Sequence, residues 1–234
     1  MAERVTDLVI VVPVRDEAAA LGSVLDGVAR ALPGVEVVVV DDGSRDESAA
    51  IARAHGARVV SLGTGRGYGA AIRAGVAATA AGRIALIDGD GTYAPTDLAR
   101  LVESAPPGGM AVGARPADAS PARRLGKAIA VLLAQVLTGR ALPDLNSGLR
   151  VFDRRLLERL APVLPDRFSL TTTLTLGAVA LGVPLRFEPV AYGARRGRSK
   201  FRLLDALRML RTVWRGAGWV REGAVAAPRG PGAF

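Results

Sequence analysis

Val35-Glu36-Val37-Val38-Val39-Val40-Asp41-Asp42-Gly43-Ser44 is the stretch that decides the fold, and Arg83-Ile84-Ala85-Leu86-Ile87-Asp88-Gly89-Asp90-Gly91 repeats its form. Each is a short apolar run closed by aspartate and glycine, which reads as a buried parallel strand running into a loop. In open α/β sheets, ligands bind beyond the carboxyl ends of the strands. Two acidic groups brought to one such edge repel each other and any phosphate unless a divalent cation lies between them. Hard oxygen ligands on strand-end loops suit Mg²⁺ or Mn²⁺, and such ions bridge to substrate phosphates. The two stretches therefore imply a metal-assisted enzyme acting on a nucleotide diphosphate compound.

Working outward, strands are expected at Leu8–Val12, Val35–Val40, Val59–Leu62, Arg83–Ile87 and Met110–Gly113. Helices are expected between them at Ala18–Leu32, Asp46–His55, Tyr68–Ala80 and Pro95–Ser104. Ser44 or Asp46 is the expected N-cap of the second helix, and Pro95 stands in the first turn of the fourth. Strands alternating with helices imply βαβ units and a mostly parallel sheet. The second half reads as a helix at Pro121–Leu137, a strand at Leu149–Phe152, helices at Arg154–Leu160 and Leu170–Leu181, and a strand at Leu185–Val190. A basic amphipathic helix follows over about 200–216, with Phe201, Leu204, Leu207, Leu210 and Trp214 along one side. The whole is expected to be one α/β domain over 1–221, followed by a disordered tail over 222–234.

Composition narrows the class. The chain has 234 residues, half of them apolar, and no cysteine, which excludes disulfides and thiolate metal sites. Glu3 and Asp7 precede the first strand, unlike a signal peptide, and no run approaches the roughly 18–20 apolar residues of a spanning helix. A cytoplasmic protein, peripheral at the membrane surface, is the expectation. Nine Arg or Lys and one acid lie between Arg195 and Arg221, so this block holds eight of the nine net positive charges. A localised basic block points to a polyanion or an anionic surface. Nucleic acid is the weaker match, because aromatics are not interleaved with the bases and the acidic strand ends would be unexplained.

Pro13-Val14-Arg15-Asp16-Glu17, Asp41-Asp42-Gly43-Ser44 and Asp88-Gly89-Asp90 fall in the order and spacing of glycosyltransferase family 2, which has the GT-A fold. Asp144-Leu145-Asn146-Ser147-Gly148-Leu149-Arg150-Val151-Phe152, Phe168-Ser169-Leu170-Thr171-Thr172-Thr173 and Arg195-Arg196-Gly197-Arg198-Ser199-Lys200 resemble its polyprenyl-phosphate, dolichol-phosphate mannosyltransferase-like branch. The resemblance runs from about Leu8 to about Leu210. It implies an inverting transferase, dependent on Mg²⁺ or Mn²⁺, that moves a sugar from GDP-mannose or a UDP-hexose to a polyprenyl phosphate.

The resemblance makes Asp90 the direct metal ligand and puts Asp88 beside the ribose and the metal. It brings Pro13, Glu17, Asp41, Asp42, Ser44 and Arg66 to the nucleotide. Asp16 stands where relatives usually have Asn. Thr92 stands where members of this branch often carry Gln as a further metal ligand. Arg115, Arg124, Arg195 and Lys200 are expected on the acceptor phosphate, where guanidinium forks bind bidentately; Arg123 could serve for Arg124 and Arg198 for Arg195.

Gly65-Arg66-Gly67-Tyr68-Gly69 looks like a loop cradling phosphate, with a plain helix entry as the alternative. Many inverting relatives carry an acidic pair ahead of the acceptor helix, one member of which is the general base. Here Ser169–Thr173 has none, and Asp166 is the nearest acid. A hydroxyl acceptor needs a base, whereas a phosphate monoester, with a second pKa around 6, is already ionised. The missing acid therefore favours a phosphate acceptor. The rivals are a family-2 enzyme with a soluble hydroxyl acceptor and an inactive binding subunit of the same fold.

Overall fold

Alternation along β1 (Leu8–Val14) sends its side chains to two cores. Leu8, Ile10, Val12 and Val14 enter one, and Val9 and Val11 the other. The same alternation splits β4 (Arg83–Leu86), with Ile84 and Leu86 on one face and Ala85 on the other. A strand buried on both faces reads as a continuous apolar run, which is why these segments announce a sheet covered on both sides. The protein was studied as a computed structural model, which describes residues 7–116, 121–166 and 169–193. The helix expected over 200–216, the tail over 222–234, Arg195 and Lys200 lie outside the described residues.

The remaining elements are α1 (Ala18–Ala31), β2 (Glu36–Asp41), α2 (Ser48–Ala54), β3 (Arg58–Ser61), α3 (Tyr68–Ala77), α4 (Pro95–Ser104) and β5 (Met110–Ala114). They continue as α5 (Pro121–Thr138), β6 (Arg150–Asp153), α6 (Arg154–Leu160), a 3₁₀ turn (Ala161–Val163), α7 (Leu170–Ala180) and β7 (Leu185–Pro189). Seven strands form one sheet in the order β3-β2-β1-β4-β6-β5-β7. β1 to β4 are parallel, as is β7 to β5, but β6 enters antiparallel between β4 and β5. Helices α1 and α4 cover one face through Leu21, Val24, Leu25, Leu98 and Leu101. On the other, α3, α6 and α7 pack through Ile72, Val76, Leu156, Leu160, Leu170 and Leu174. A smaller cluster joins Ala134 of α5 to Leu176 and Val179 of α7. Among the described residues no helix is long and apolar enough to cross a membrane.

Two departures from the sequence reading matter for the site. The first strand runs on to Val14, so Pro13 lies inside it, paired in register with Val40. Asp42 N donates to Val14 O on the β2 side, and Ile87 N to Val11 O on the β4 side. Pro13 has the parity of Val11, so its missing N–H faces β4, and the β1–β4 ladder ends at Leu86. Beyond Ile87, whose N–H still reaches Val11 O, the chain is released from the sheet, and it carries Asp88 and Asp90. The second departure is at α2, which starts at Ser48 rather than Asp46. Asp46 Oδ1 accepts from Ser48 N, while Asp46 Oδ2 reaches across to Ala18 N of α1.

Candidate active site

The two aspartate pairs end at the same edge of the sheet and are held there by different donors. Asp41 and Asp42 are both buried. Asp41 Oδ1 accepts from Ser44 N at 2.8 Å, closing the turn after β2. The Asp42 carboxylate accepts from Arg66 N at 2.6 Å and from Gly67 N at 3.0 and 3.2 Å. These are the amides a phosphate cradle would offer, so phosphate there would compete with a carboxylate already in place. Gly67, at φ 109°, takes a backbone that only glycine adopts without strain. The Arg66 side chain is exposed.

The loops after β1 and β2 are stitched to each other. Asp16, at φ 53°, donates its N–H to Ser44 Oγ, and its Oδ1 accepts from Arg45 N at 2.8 Å. Glu17 N donates to Ser48 Oγ at 2.9 Å. Burial would raise the Asp46 carboxyl, but hydrogen bonds from the Ser48 hydroxyl and the Ala18 and Ser48 amides outweigh it and hold it below its ordinary 3.8. Pro13 and Glu17, expected on the nucleotide, are both buried at this edge. Ser44, expected there too, is a bridge between the two loops.

Asp88 and Asp90 are instead gripped by hydroxyls. Tyr68 Oη donates to Asp88 Oδ1 at 2.9 Å. Thr92 gives Asp90 Oδ1 both its Oγ1, at 2.6 Å, and its amide, at 3.0 Å. Thr92, standing where relatives often have a metal-binding Gln, here orients the aspartate two residues before it. Burial first, then the charge and hydrogen bond of Asp88, raise the Tyr68 phenol well above its usual pKa, so it stays a donor. Gly148 lies so close to Asp88 that any Cβ would meet the carboxylate. Among the described residues no three His, Cys, Asp or Glu side chains cluster as a metal cage. The Asp88–Asp90 pair nonetheless fits a hard cation, because Mg²⁺ and Mn²⁺ need only one or two carboxylates when substrate phosphates complete the shell.

The 144–150 loop, quoted above only as a motif, is where most site-supporting contacts lie. Asp144 is fully buried and takes the Arg115 guanidinium bidentately, with Nε at 2.7 Å and Nη2 at 2.9 Å. Burial alone would lower the Arg115 pKa; the hydrogen bonds to Asp144 turn the shift upward. The ring of Tyr192 lies 5.3 Å from the same guanidinium and packs edge-on to Tyr93, whose hydroxyl accepts from Gly148 N at 2.9 Å. Arg115, expected on the acceptor phosphate, is therefore already paired with a carboxylate.

Arg150 is fully buried and donates to Ser147 O, Leu145 O and Thr175 Oγ1. Burial pushes it down to about 10, so it stays charged at neutral pH. Thr172 Oγ1 donates to Asn146 Oδ1, tying α7 to the loop. Sequence reasoning gave no role to Tyr68, Tyr93, Asp144, Arg150 or Tyr192, although Asp144 and Arg150 stand in the motif that resembles the polyprenyl-phosphate branch and Tyr68 in the glycine loop. A further signal was a charged residue, Arg150, inside an apolar strand run.

Two further placements bear on chemistry. Asp166 pairs with Arg73 of α3, and Arg73 also donates to Leu164 O at 3.2 Å. Gly193 N donates to Thr92 O at 2.8 Å, and Tyr93 and Tyr192 form an antiparallel bridge. Arg124 belongs to α5, but its side chain is not among those described. A shallow pocket lined by Arg83, Pro106, Gly109 and Asp153 lies at the opposite edge of the sheet, away from all of these groups.

The family model for glycosyl transferase family 2 matches residues 9–161. The chain is 30% identical to the dolichyl-phosphate hexose transferase of Haloferax volcanii over 199 residues, 83% of this chain and 86% of that one. It is 32% identical to the undecaprenyl-phosphate 4-deoxy-4-formamido-L-arabinose transferase of Pseudomonas aeruginosa over 218 residues, 87% of this chain but only 63% of the relative's length. Among solved structures, glucosyl-3-phosphoglycerate synthase of Mycobacterium tuberculosis, in complex with Mn²⁺ and uridine diphosphate, superimposes with a TM-score of 0.71 at 23% identity. That match covers 93% of this chain and 84% of the other, and shows a shared fold.

Proposed function

The chain belongs to glycosyl transferase family 2, and from that premise we propose that it transfers a sugar from a nucleoside-diphosphate donor to a polyprenyl phosphate, inverting the anomeric carbon. One observation carries the reading. The Gly193 amide is bonded to Thr92 O, which sets Gly193, two positions before Arg195 in the sequence, beside the loop of Asp88 and Asp90. In this reading the acceptor cations follow in sequence from a residue bonded to the loop of the donor carboxylates. The polyprenyl-phosphate transferases among the relatives support the same acceptor class.

In this reading Asp90 and Asp88 hold Mg²⁺ or Mn²⁺, which supplies Lewis-acid stabilisation of the diphosphate leaving group. Thr92 and Tyr68 fix the rotamers of the two aspartates. The nucleoside lies toward Pro13, Glu17 and the Asp41–Ser44 turn. Arg124, Arg195 and Lys200 orient the acceptor phosphate, while Arg115, whose guanidinium is held bidentately by Asp144, fixes the 144–149 loop. One of its ionised oxygens forms a bond to the anomeric carbon as the bond from that carbon to the diphosphate breaks, and the nucleoside diphosphate departs. No proton has to be removed from the nucleophile at neutral pH. Asp166, the acid nearest the position of the base in hydroxyl-glycosylating relatives, is engaged by Arg73, which fits this requirement.

The test is transfer of label from a panel of GDP- and UDP-sugars to a short polyprenyl phosphate with Mn²⁺, using Asp90→Asn as control. Label entering the organic phase with wild type only is the expected result and identifies the donor. Donor hydrolysis with no lipid product would overturn the acceptor assignment in favour of a soluble hydroxyl.

A further inference from the structure

Asp88 has two neighbours that fix its place. The Tyr68 hydroxyl donates to its Oδ1 at 2.9 Å. The Gly148 backbone lies so near that an added Cβ would overlap both carboxylate oxygens. Gly148 has no positive φ, so space rather than backbone conformation demands glycine there. Tyr68 sets the direction of the carboxylate, and Gly148 limits how far it can turn.

Tyr93 holds Gly148 in that position. Gly148 N donates to Tyr93 Oη at 2.9 Å, and Tyr93 Oη lies 3.2 Å from Ser147 Oγ. Ser147 Oγ accepts from Leu149 N at 3.3 Å and reaches Leu149 O at 3.5 Å. A consistent set of donors follows: Ser147 gives its hydrogen to Leu149 O, Tyr93 gives its own to Ser147, and the phenol oxygen accepts from Gly148. Tyr93 and Ser147 are both buried, so a partner lost there leaves polar groups stranded. Burial raises the Tyr93 phenol above its usual pKa, which keeps it protonated for both roles.

Tyr93 also follows Thr92, whose hydroxyl and amide bind Asp90 Oδ1. One dipeptide therefore reaches both acids, Asp90 directly and Asp88 through Gly148. The Tyr192 ring packs edge-on to Tyr93 at 5.1 Å, and Gly193 N donates to Thr92 O, so the chain after β7 backs the dipeptide. We propose that Tyr93 is a positioning residue for the donor's metal site, holding Gly148 as a stop that confines the Asp88 carboxylate to the orientation set by Tyr68. The proposal rests on the reading of Asp88 and Asp90 as the carboxylates that hold Mg²⁺ or Mn²⁺. A tyrosine that only supported the fold would matter to stability alone. One that positions Asp88 matters also to metal affinity, and only while residue 88 is a carboxylate.

The experiment is Mn²⁺ titration of the full chain, followed by the electron paramagnetic resonance signal of the free ion, with GDP and in parallel with UDP. Wild type is compared with Tyr93→Phe and Gly148→Ala, each made also in an Asp88→Asn background. Asparagine keeps the size of the side chain and an acceptor for Tyr68, and Asp90 remains to bind the ion. Gly148→Ala should push the Asp88 carboxylate aside and weaken Mn²⁺ binding about thirtyfold, and Tyr93→Phe should weaken it about tenfold, the range for residues that orient metal ligands. In the Asp88→Asn background neither change should alter the affinity by more than about twofold, whereas the drop in thermal midpoint caused by Tyr93→Phe should be the same in both backgrounds. Gly148→Ala leaves the Tyr93 hydroxyl in place, so it tests the stop even if Tyr93→Phe folds poorly.

Wild-type Mn²⁺ affinity in Gly148→Ala, or in a folded Tyr93→Phe, overturns the proposal. So does an equal loss with and without the Asp88 carboxylate, because the effect would then not pass through Asp88. A wild type that binds no Mn²⁺ with either nucleotide would sink the metal assignment itself, and the role of Tyr93 with it.

Discussion

The pairs Asp41–Asp42 and Asp88–Asp90 look alike in sequence and end at the same sheet edge, yet the structure uses them differently. The first pair accepts from backbone amides, at Ser44, Arg66 and Gly67. The second is held by the hydroxyls of Tyr68 and Thr92, with one amide assisting. A carboxylate bonded to two amides of a distant loop is part of the fold, because removing it leaves buried donors unpaired. A carboxylate steadied by a neighbouring hydroxyl has its direction set, as metal ligands commonly do.

The contrast can be broken in four ways. Asp90→Asn keeps an Oδ1 acceptor for Thr92, so it should lower sugar transfer by about a thousandfold while leaving stability within about 1 kcal/mol. A matching loss of stability in urea titration would erase the difference between the pairs. Asp42→Ala should do the reverse, costing about 2 kcal/mol of stability by orphaning the Arg66 and Gly67 amides. Amide exchange at those two positions should accelerate, and if it does not, the latch is not what holds the loop.

Thr92→Val keeps the shape of the side chain and removes the hydroxyl from Asp90. Mn²⁺ affinity measured with a nucleoside diphosphate present should weaken about tenfold, the low end of the effect of a residue that orients a metal ligand. An unaltered affinity would reduce Thr92 to a turn residue. The smallest effect concerns pH. Asp46 is held below its ordinary 3.8, so the stability it contributes is fully present above that pH and is lost as pH falls through the folded value. Wild type should exceed Asp46→Asn by a margin that closes on acidification, and a margin constant with pH would show that charge has no part in it.

Much of the framework was legible. The apolar runs before Asp41 and Asp88 locate β2 and β4, Pro95 opens α4 as expected, and every strand anticipated among the described residues is present within a few residues. The place of β6 was not legible. Its four residues Arg150–Asp153 carry no mark of direction, and their antiparallel entry between β4 and β5 is decided by where α5 and the 144–149 loop deliver the chain. The pairings of Asp144 and Arg150, which the motif alone did not reveal, were hidden for a related reason. A buried charge is recognised by its partners, and those of Arg150 include Thr175, 25 residues away on α7.

The sequence by itself determined the alternation of strand and helix, the placing of acidic residues at strand ends, and the concentration of positive charge after Arg195. These follow from local periodicity and composition, which a chain displays before it folds. Which aspartate is latched, which is steadied, and which arginine is already neutralised were decided only by tertiary structure. Asp42 finds Arg66 across 24 residues and Arg115 finds Asp144 across 29, and a carboxylate's chemistry depends on the donors that packing brings to it.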